Sequence, residues 1–477
     1  MYDMKIFHHD KPLIIILLLT LLGRGLYLQL QYPLWWDSHI YIAMGKFIAS
    51  NGGIGFWEWF RAPFHPLFLG LIGKMGFSII IFGKIFDIIW SLGAVYFFYR
   101  IAEHLFERRI ALVGSIIFSF TPVFIMLSGL MLAEPLAVFL ALAGVWAFLR
   151  QRFFWTGILL ALSFLTRFHF GVWIIAVLCS LLLEQGRWKE KFHSLLTTMG
   201  GFIVPVSAYL ISNQLLWGKA LKPFTEAQVL VDSAVWFYER SAWLYVERFF
   251  LACPLYLFVF MYGYLFFRNK EWRNTKKTML VVVTILTFAY FLSISHKEVR
   301  YLMTALPALA MMAAAGIVWT YDYLRRTSSA FIKPKSFVVL CIVALLLPLP
   351  FELSFERPPQ FHNEIGEILG ENESRAMIVS TDPSLGTYLT STIVTLDGTP
   401  FAAEIYARHK GKYDVVYIGD CDLQCHPQNQ TCLDQKHDFW TTVREENELV
   451  LEKNWTFREN DVEKRYSCTY MVFVPKN

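Results

Sequence analysis

A polytopic α-helical membrane protein with a small C-terminal α/β domain is the fold class this sequence predicts, on three observations. The first is apolarity: of 477 residues 56% are hydrophobic and 17% aromatic, and the mean hydropathy is +0.43, beyond what a soluble globular chain needs. The second is a division of charge. Residues 352–477 hold 21 acids against 12 Lys+Arg, which leaves 17 acids against 31 basic residues before them. The third is that four of the seven cysteines and all three N-x-[ST] sequons noted, at Asn372, Asn429 and Asn454, fall in that acidic tail. Sequons and paired cysteines fit an oxidising, glycosylating compartment. Basic clusters between apolar runs orient membrane helices, so the positive excess is read as topology and no nucleic-acid partner is expected.

In chain order, residues 12–30 form the first span, preceded by Lys5 and Lys11, which sets the N-terminus in the cytoplasm. Gly-Arg-Gly-Leu-Tyr follows Leu22 where a signal peptide would show a small-residue cleavage site, so the segment reads as a retained anchor. An outer loop, 31–62, comes next. Residues 64–76 are too short to cross comfortably, and 78–100 are long enough at about 1.5 Å of rise per residue. Further apolar runs cover 110–122, 132–149, 154–166, 170–184, 197–217, 246–267, 278–294, 301–321 and 336–351. About eleven crossings are expected in a membrane domain of residues 1–352.

Basic clusters then fall on alternate connections: Arg100, Arg108 and Arg109; Arg150 and Arg152; Arg187, Lys189 and Lys191; Arg268 to Lys277; and Arg325 to Lys335. All lie on the cytoplasmic side of an eleven-span arrangement with the N-terminus in and the C-terminal domain extracytoplasmic or lumenal. The opposite connections hold Asp37, His39, Arg61 and His65; Glu134; Arg167 and His169; a long loop over 218–245; and His296 to Tyr301. An ionisable group costs about 2.5 to 3.5 kcal/mol at mid-bilayer and less near its surface unless it pairs or meets water. So many on one side predict a shared polar cavity.

Hydropathy collapses after Pro350, and residues 353–477 read as a soluble α/β unit. Strands are predicted over 375–380, 390–396, 413–418 and 470–474, and short helices over 384–389 and 402–409. Cys421, Cys425, Cys432 and Cys468 read as two disulfides of open connectivity. Zinc held by C-x3-C-x6-C with His426 or His437 is the alternative.

Asp37, in WWDSHIYIAMG, heads an amphipathic run. An acid there can take the proton of an attacking hydroxyl while cations neutralise a departing phosphate, the division of labour of an inverting sugar transfer. It is equally placed to cap the helix that follows. Arg61 and His65 bracket Pro63, and a guanidinium there can hold phosphate oxygens bidentately or anchor the interface. His296, Lys297 and Arg300 crowd a very short turn around Glu298, a pattern phosphate binding explains better than snorkelling. Glu134 and Arg167 sit where they can pair. No D-x-D follows Asp37, and there is no glycine-rich phosphate loop, so neither a metal nor another cofactor is expected, although His39 and Glu58 could in principle ligate one.

With these pieces together, the chain resembles the GT-C superfamily of polytopic glycosyltransferases, most closely the protein O-mannosyltransferase and aminoarabinose-transferase type. WWDSHIYIAMG, RAPFHPLFLGL, LAEPLAVFLAL, GILLALSFLTRFHF and SHKEVRYLMTALPAL carry the resemblance, over about residues 12–350. It implies a polyprenyl- or dolichyl-phosphate-linked sugar, mannose or another hexose, moved with inversion to an acceptor glycan, lipid or protein on the outer or lumenal face. It also implies Asp37 as general base, Arg61, Lys297, Arg300 and His296 on the donor phosphate, and His39, His65, Glu134, Arg167, Glu298 and Tyr301 in the substrate pocket. Many members have a second acid beside the first, where this chain has Ser38 and His39. The Trp-Trp-Asp of the related oligosaccharyltransferases lies in their soluble domain, so Trp35-Trp36-Asp37 is read as coincidence. A multi-span transporter or lipid flippase is the rival, and it should show internal repeats and mid-span charges. No clear repeat is found.

Overall fold

The computed structural model describes residues 11–29, 34–225, 240–294, 296–327, 332–349, 361–396, 398–423, 425–426, 428–458 and 465–476. The chain forms two compact units that do not follow sequence order. One gathers Met1–Gln31, Lys84–Ser212 and Arg240–Ser354; the other gathers Tyr32–Gly83, Asn213–Glu239 and Phe355–Asn477. The expected boundary at 352 lies outside the described residues. The first outer loop groups with the tail.

The first unit is helical. Lys11–Gln29, Ile79–Leu105, Trp188–Trp217 and Thr275–Ser293 are each long and apolar enough to cross a membrane, and the pair Trp243–Leu251 and Pro254–Arg268, bent by 112°, makes a fifth candidate. Glu134–Leu149, Phe153–Thr166, Phe168–Leu183 and Pro334–Leu346 are apolar but shorter. A crossing takes about 20 residues, so among the described residues length and composition alone mark four or five spans, against about eleven expected. Helix-breaking chemistry divides some of the apolar runs. Thr121 and Pro122 divide one apolar run into Arg108–Phe120 and Pro122–Leu127, and Pro254 interrupts another after Cys253.

Small residues let the backbones in this unit approach. A Cβ on Gly157 would lie 2.0 Å from the Thr198 carbonyl oxygen, and one on Gly201 would lie 2.1 Å from that of Phe154, so Phe153–Thr166 and Trp188–Trp217 meet backbone to backbone. Gly316 in the helix Leu306–Arg326 meets the Phe258 carbonyl in the same way, and the AlaMetMetAlaAlaAla run before it is fully buried.

The second unit is built on a five-stranded sheet ordered β2-β1-β3-β5-β4, with β1 Met377–Ser380, β2 Thr392–Thr395, β3 Val415–Gly419, β4 Asn447–Arg458 and β5 Arg465–Pro475. β1 pairs parallel with both β2 and β3, and β5 runs antiparallel to β3 and β4. Val379, Val416, Ile418, Phe439, Val443 and Phe473 centre its core. The predicted strands and short helices are present within a few residues. Strand β4 and the helices His362–Leu369 and Gln430–Glu446 were not expected: β4 is a charged edge strand, and Gln430–Glu446 is polar over most of its surface, so neither leaves an apolar run. Cys421 pairs with Cys468 and Cys425 with Cys432, which removes the thiolates the zinc alternative required.

The first outer loop is stitched into this sheet. Gly55, at φ +77°, donates its N–H to the Ser391 carbonyl at 3.1 Å and accepts from the Ile393 N–H at 3.1 Å, extending the sheet beyond β2. The left-handed φ favours glycine there, and a Cβ would also lie 2.3 Å from the Ala43 carbonyl oxygen. Lys46 donates to the carbonyls of Thr387 and Leu389.

Candidate active site

In the second unit, Asp37 lies in the first turn of the helix Trp36–Ala49, where the unpaired N–H groups of a helix start favour a negative charge. The helix forms because Ser38 receives the Trp35 N–H at 3.2 Å and the apolar IYIAM segment is fully buried behind it. Asp37 is 5% exposed, and Arg61 Nη1 stands 2.9 Å from its Oδ1. The same guanidinium turns Nε to Glu58 Oε2 at 2.8 Å and lies over the Phe60 ring. Burial works against the Arg61 charge, and Asp37 followed by Glu58 more than restores it. Two buried carboxylates thus share one cation. Glu58, considered from sequence only as a conceivable metal ligand, provides near Asp37 the second acid that the neighbouring positions Ser38 and His39 lack. The Glu58-to-Arg61 spacing of three residues was its one sequence signal.

That arrangement alters the expectation for Arg61. A guanidinium that already meets two carboxylates has fewer donors left for a phosphate. His39 is directed elsewhere: its Nδ1 is 2.8 Å from Thr387 Oγ1, tying the helix to Ser384–Tyr388 of the tail. Burial, followed by the nearby His362, lowers its pKa to about 3, so the ring is neutral and cannot serve as a cation for phosphate. His65 is buried with its ring edge-on to Tyr41 at 5.1 Å.

In the first unit, polar groups from three connections come together. Arg167, which ends the helix Phe153–Thr166, donates from Nε to Glu134 Oε1 at 3.0 Å, the expected pairing. Glu134 is fully buried at the start of its helix, and its Oε2 has no hydrogen-bond partner among the described residues. His169 Nδ1 is 2.8 Å from Thr304 Oγ1, and its ring stands 5.9 Å from that of Tyr301.

Tyr301 belongs to a compact network. Glu298 Oε1 accepts from Arg300 Nη2 at 2.9 Å and from Tyr301 Oη at 3.1 Å, and lies 2.8 Å from His296 Nε2. Burial pushes the Glu298 carboxyl up, yet Arg300 and His296 hold it down at about 2. Lys297, expected on the donor phosphate, is buried and bonds the Ile294 carbonyl. The unit therefore brings Glu134, Arg167, His296, Glu298, Arg300 and Tyr301 to neighbouring connections and adds His169.

Two charged groups inside helices escaped the sequence reading. Arg24, buried in Lys11–Gln29, donates to Ser91 Oγ at 3.2 Å and to the Ser119 carbonyl at 2.8 Å. Asp87, buried in Ile79–Leu105, accepts the Met131 N–H at 2.7 Å, which steadies a residue at φ +55°. Both sit in apolar runs that gave no sign of a partner.

Comparison with known proteins agrees with this architecture. Residues 60–217 match the family described as dolichyl-phosphate-mannose-protein mannosyltransferase. No curated protein matches the chain in sequence. Among solved structures, ArnT from Cupriavidus metallidurans bound to undecaprenyl phosphate is similar with a TM-score of 0.62 at 11% identity, covering 97% of this chain and 98% of that one. The apo oligosaccharyltransferase of Archaeoglobus fulgidus gives 0.58 at 12% identity, covering 86% and 70%, and the same enzyme tethered to an acceptor peptide containing an NVT sequon gives 0.56 at 11%, covering 85% and 68%. The chain shares its fold with ArnT and with the archaeal oligosaccharyltransferase. Among the described residues four helices, or five with the bent pair, are long and apolar enough to cross a membrane.

Proposed function

We propose that this protein is a membrane glycosyltransferase that moves a sugar, mannose or another hexose, from a polyprenyl- or dolichyl-phosphate donor to an acceptor hydroxyl on the outer or lumenal face, with inversion. The observation that carries the reading is the buried Asp37 carboxylate, set on a helix start and held by Arg61 beside Glu58. Asp37 takes the acceptor proton as the new glycosidic bond forms and the sugar–phosphate bond breaks; the electron pair leaves on the lipid phosphate. Arg61 keeps Asp37 ionised and oriented. Because Glu58 occupies the other side of that guanidinium, the donor phosphate is assigned instead to Arg300, Lys297 and His296, with Glu298 and Tyr301 ordering Arg300. The family match to mannosyltransferases acting from dolichyl phosphate mannose supports the donor class, and the undecaprenyl phosphate on ArnT supports a polyprenyl carrier.

The test is transfer of label from radiolabelled polyprenyl-phosphate sugars by purified protein supplied with membrane extract. Asp37→Asn is expected to lower the rate by about a hundred- to ten-thousand-fold, the range of a positioned general base, while donor affinity holds. Retained transfer removes Asp37 from the mechanism. In the double variant Lys297→Ala, Arg300→Ala, donor binding is expected to weaken; unchanged affinity removes the phosphate assignment.

A further inference from the structure

Within the first unit, the apolar helices Glu134–Leu149 and Phe153–Thr166 form a hairpin with charged groups at both ends, and the transferase reading uses only one of them. At that end Glu134 and Arg167 pair at 3.0 Å. The other end is the turn 150–152, about 24 Å away, the rise of a 16-residue helix. This turn is tightly tied. The N–H groups of Arg150, Gln151 and Arg152 donate to the carbonyls of Trp146, Phe148 and Ala147 at 3.0, 2.9 and 2.8 Å, and Gln151 takes a left-handed φ of +58°. Both arginines are exposed, and neither side chain makes an ion pair or a hydrogen bond among the described residues. The Arg150 guanidinium instead lies over the Trp146 ring, 5.4 Å from its centre, which holds the cation against the helix.

A groove of about 420 Å³ opens beside the turn, lined by Phe97, Trp146, Trp155 and Leu159 together with Arg150 and Arg152. Its walls are aromatic and aliphatic, and its only charges are the two cations. Trp155 is 59% exposed and Phe154 next to it 45%, so the apolar wall runs on to the outer surface of the hairpin. An apolar slot that carries two unpaired guanidiniums matches a ligand with a hydrocarbon part and an anionic head. A guanidinium offers parallel N–H donors to phosphate oxygens, and basic pockets between apolar helices hold lipid headgroups. Free phosphate leaves the aromatic wall bare, and a lipid without net charge leaves the cations unmatched.

We propose that this groove seats one phospholipid with an anionic headgroup, its phosphate on Arg150 and Arg152 and the start of an acyl chain against Phe97, Trp155 and Leu159. The site is independent of the sugar-transfer assignment.

The full-length protein, delipidated in a neutral detergent, is titrated with phosphatidylglycerol and separately with phosphatidylcholine, and native mass spectrometry counts the lipids retained per chain. One saturable, tightest-bound phosphatidylglycerol is expected, with phosphatidylcholine weaker by about tenfold or more. The double variant Arg150→Gln, Arg152→Gln is expected to weaken phosphatidylglycerol by about tenfold or more, while Arg187→Gln, which removes an exposed cation from another connection, leaves it unchanged. Ala147→Trp fills the groove and keeps both cations, and it is expected to abolish the tight site. Both arginines are exposed and unpaired, so the double variant folds; should Ala147→Trp not fold, the double variant alone decides. Equal affinity for the two lipids overturns the proposal, as does undiminished binding in the double variant. A loss of the same size in Arg187→Gln identifies general positive charge and also overturns it. Polyprenyl phosphate that binds the groove more tightly than phosphatidylglycerol identifies a sugar carrier as the occupant and overturns the phospholipid assignment.

Discussion

Asp37 and Glu58 share a single guanidinium, and only half of that sharing is local: Glu58 lies three residues before Arg61, whereas Asp37, 21 positions before Glu58, is brought to it by tertiary packing. His39 is the contrasting case. Its sequence position beside Asp37 gave it a pocket role, whereas its ring is bonded to Thr387, 348 residues on. The depressed His39 pKa has a signed consequence. The unfolded imidazole, with a pKa near 6.5, binds a proton that the native ring refuses down to about 3. Between those values the unfolded state holds more protons, so stability falls as pH drops, by up to about 1.4 kcal/mol per pH unit from this group. His39→Asn keeps a partner for the Thr387 hydroxyl and removes the titration. Its acid-unfolding midpoint, followed by tryptophan fluorescence, is expected to lie at lower pH than that of the wild type.

Elements were legible where one physical signal dominates. Apolar runs gave most helices to within about five residues, missing the start of Trp188–Trp217, and short runs rich in Val and Ile gave β1, β2 and β3. The helix breaks were not legible, since a run of apolar residues says nothing about where Thr121, Pro122 or Pro254 will divide it. Edge strand β4 escaped for the opposite reason, its charge hiding its geometry. Helix contacts supply a sharper prediction. Gly201 lies against the Phe154 carbonyl, while its neighbour Gly200 has open space around it. Gly201→Ala is expected to lower the melting temperature by several degrees, a loss of about 1 to 3 kcal/mol from overpacking. Gly200→Ala is expected to hold or slightly raise it, since alanine exceeds glycine in helix propensity by about 1 kcal/mol. Equal behaviour of the two variants would contradict the close crossing.

For the whole molecule, composition disclosed the membrane body and the acidic tail, but it implied a simple cut between them near 352. The compact units do not follow sequence order, because Tyr32–Gly83 groups with the tail sheet through Gly55, Lys46 and His39. Linear charge and hydropathy cannot report a strand-like pairing between residues more than 330 positions apart. Deleting residues 361–477 is accordingly expected to expose the Ser50–Phe56 region to limited proteolysis while protection elsewhere in the helical body persists. Protection of that stretch in the truncated protein would show that the loop holds its shape alone.

The pairing of Gly55 with the strand at Thr392 also dictates a schedule. A ribosome delivers the Asp37 helix early and its sheet neighbour only after more than three hundred further residues, so the acid cannot settle into its final setting until the tail has emerged and folded. Nascent or prematurely terminated chains would thus lack the partner strand that Gly55 pairs with, a dependence that follows from the order in which the chain is made.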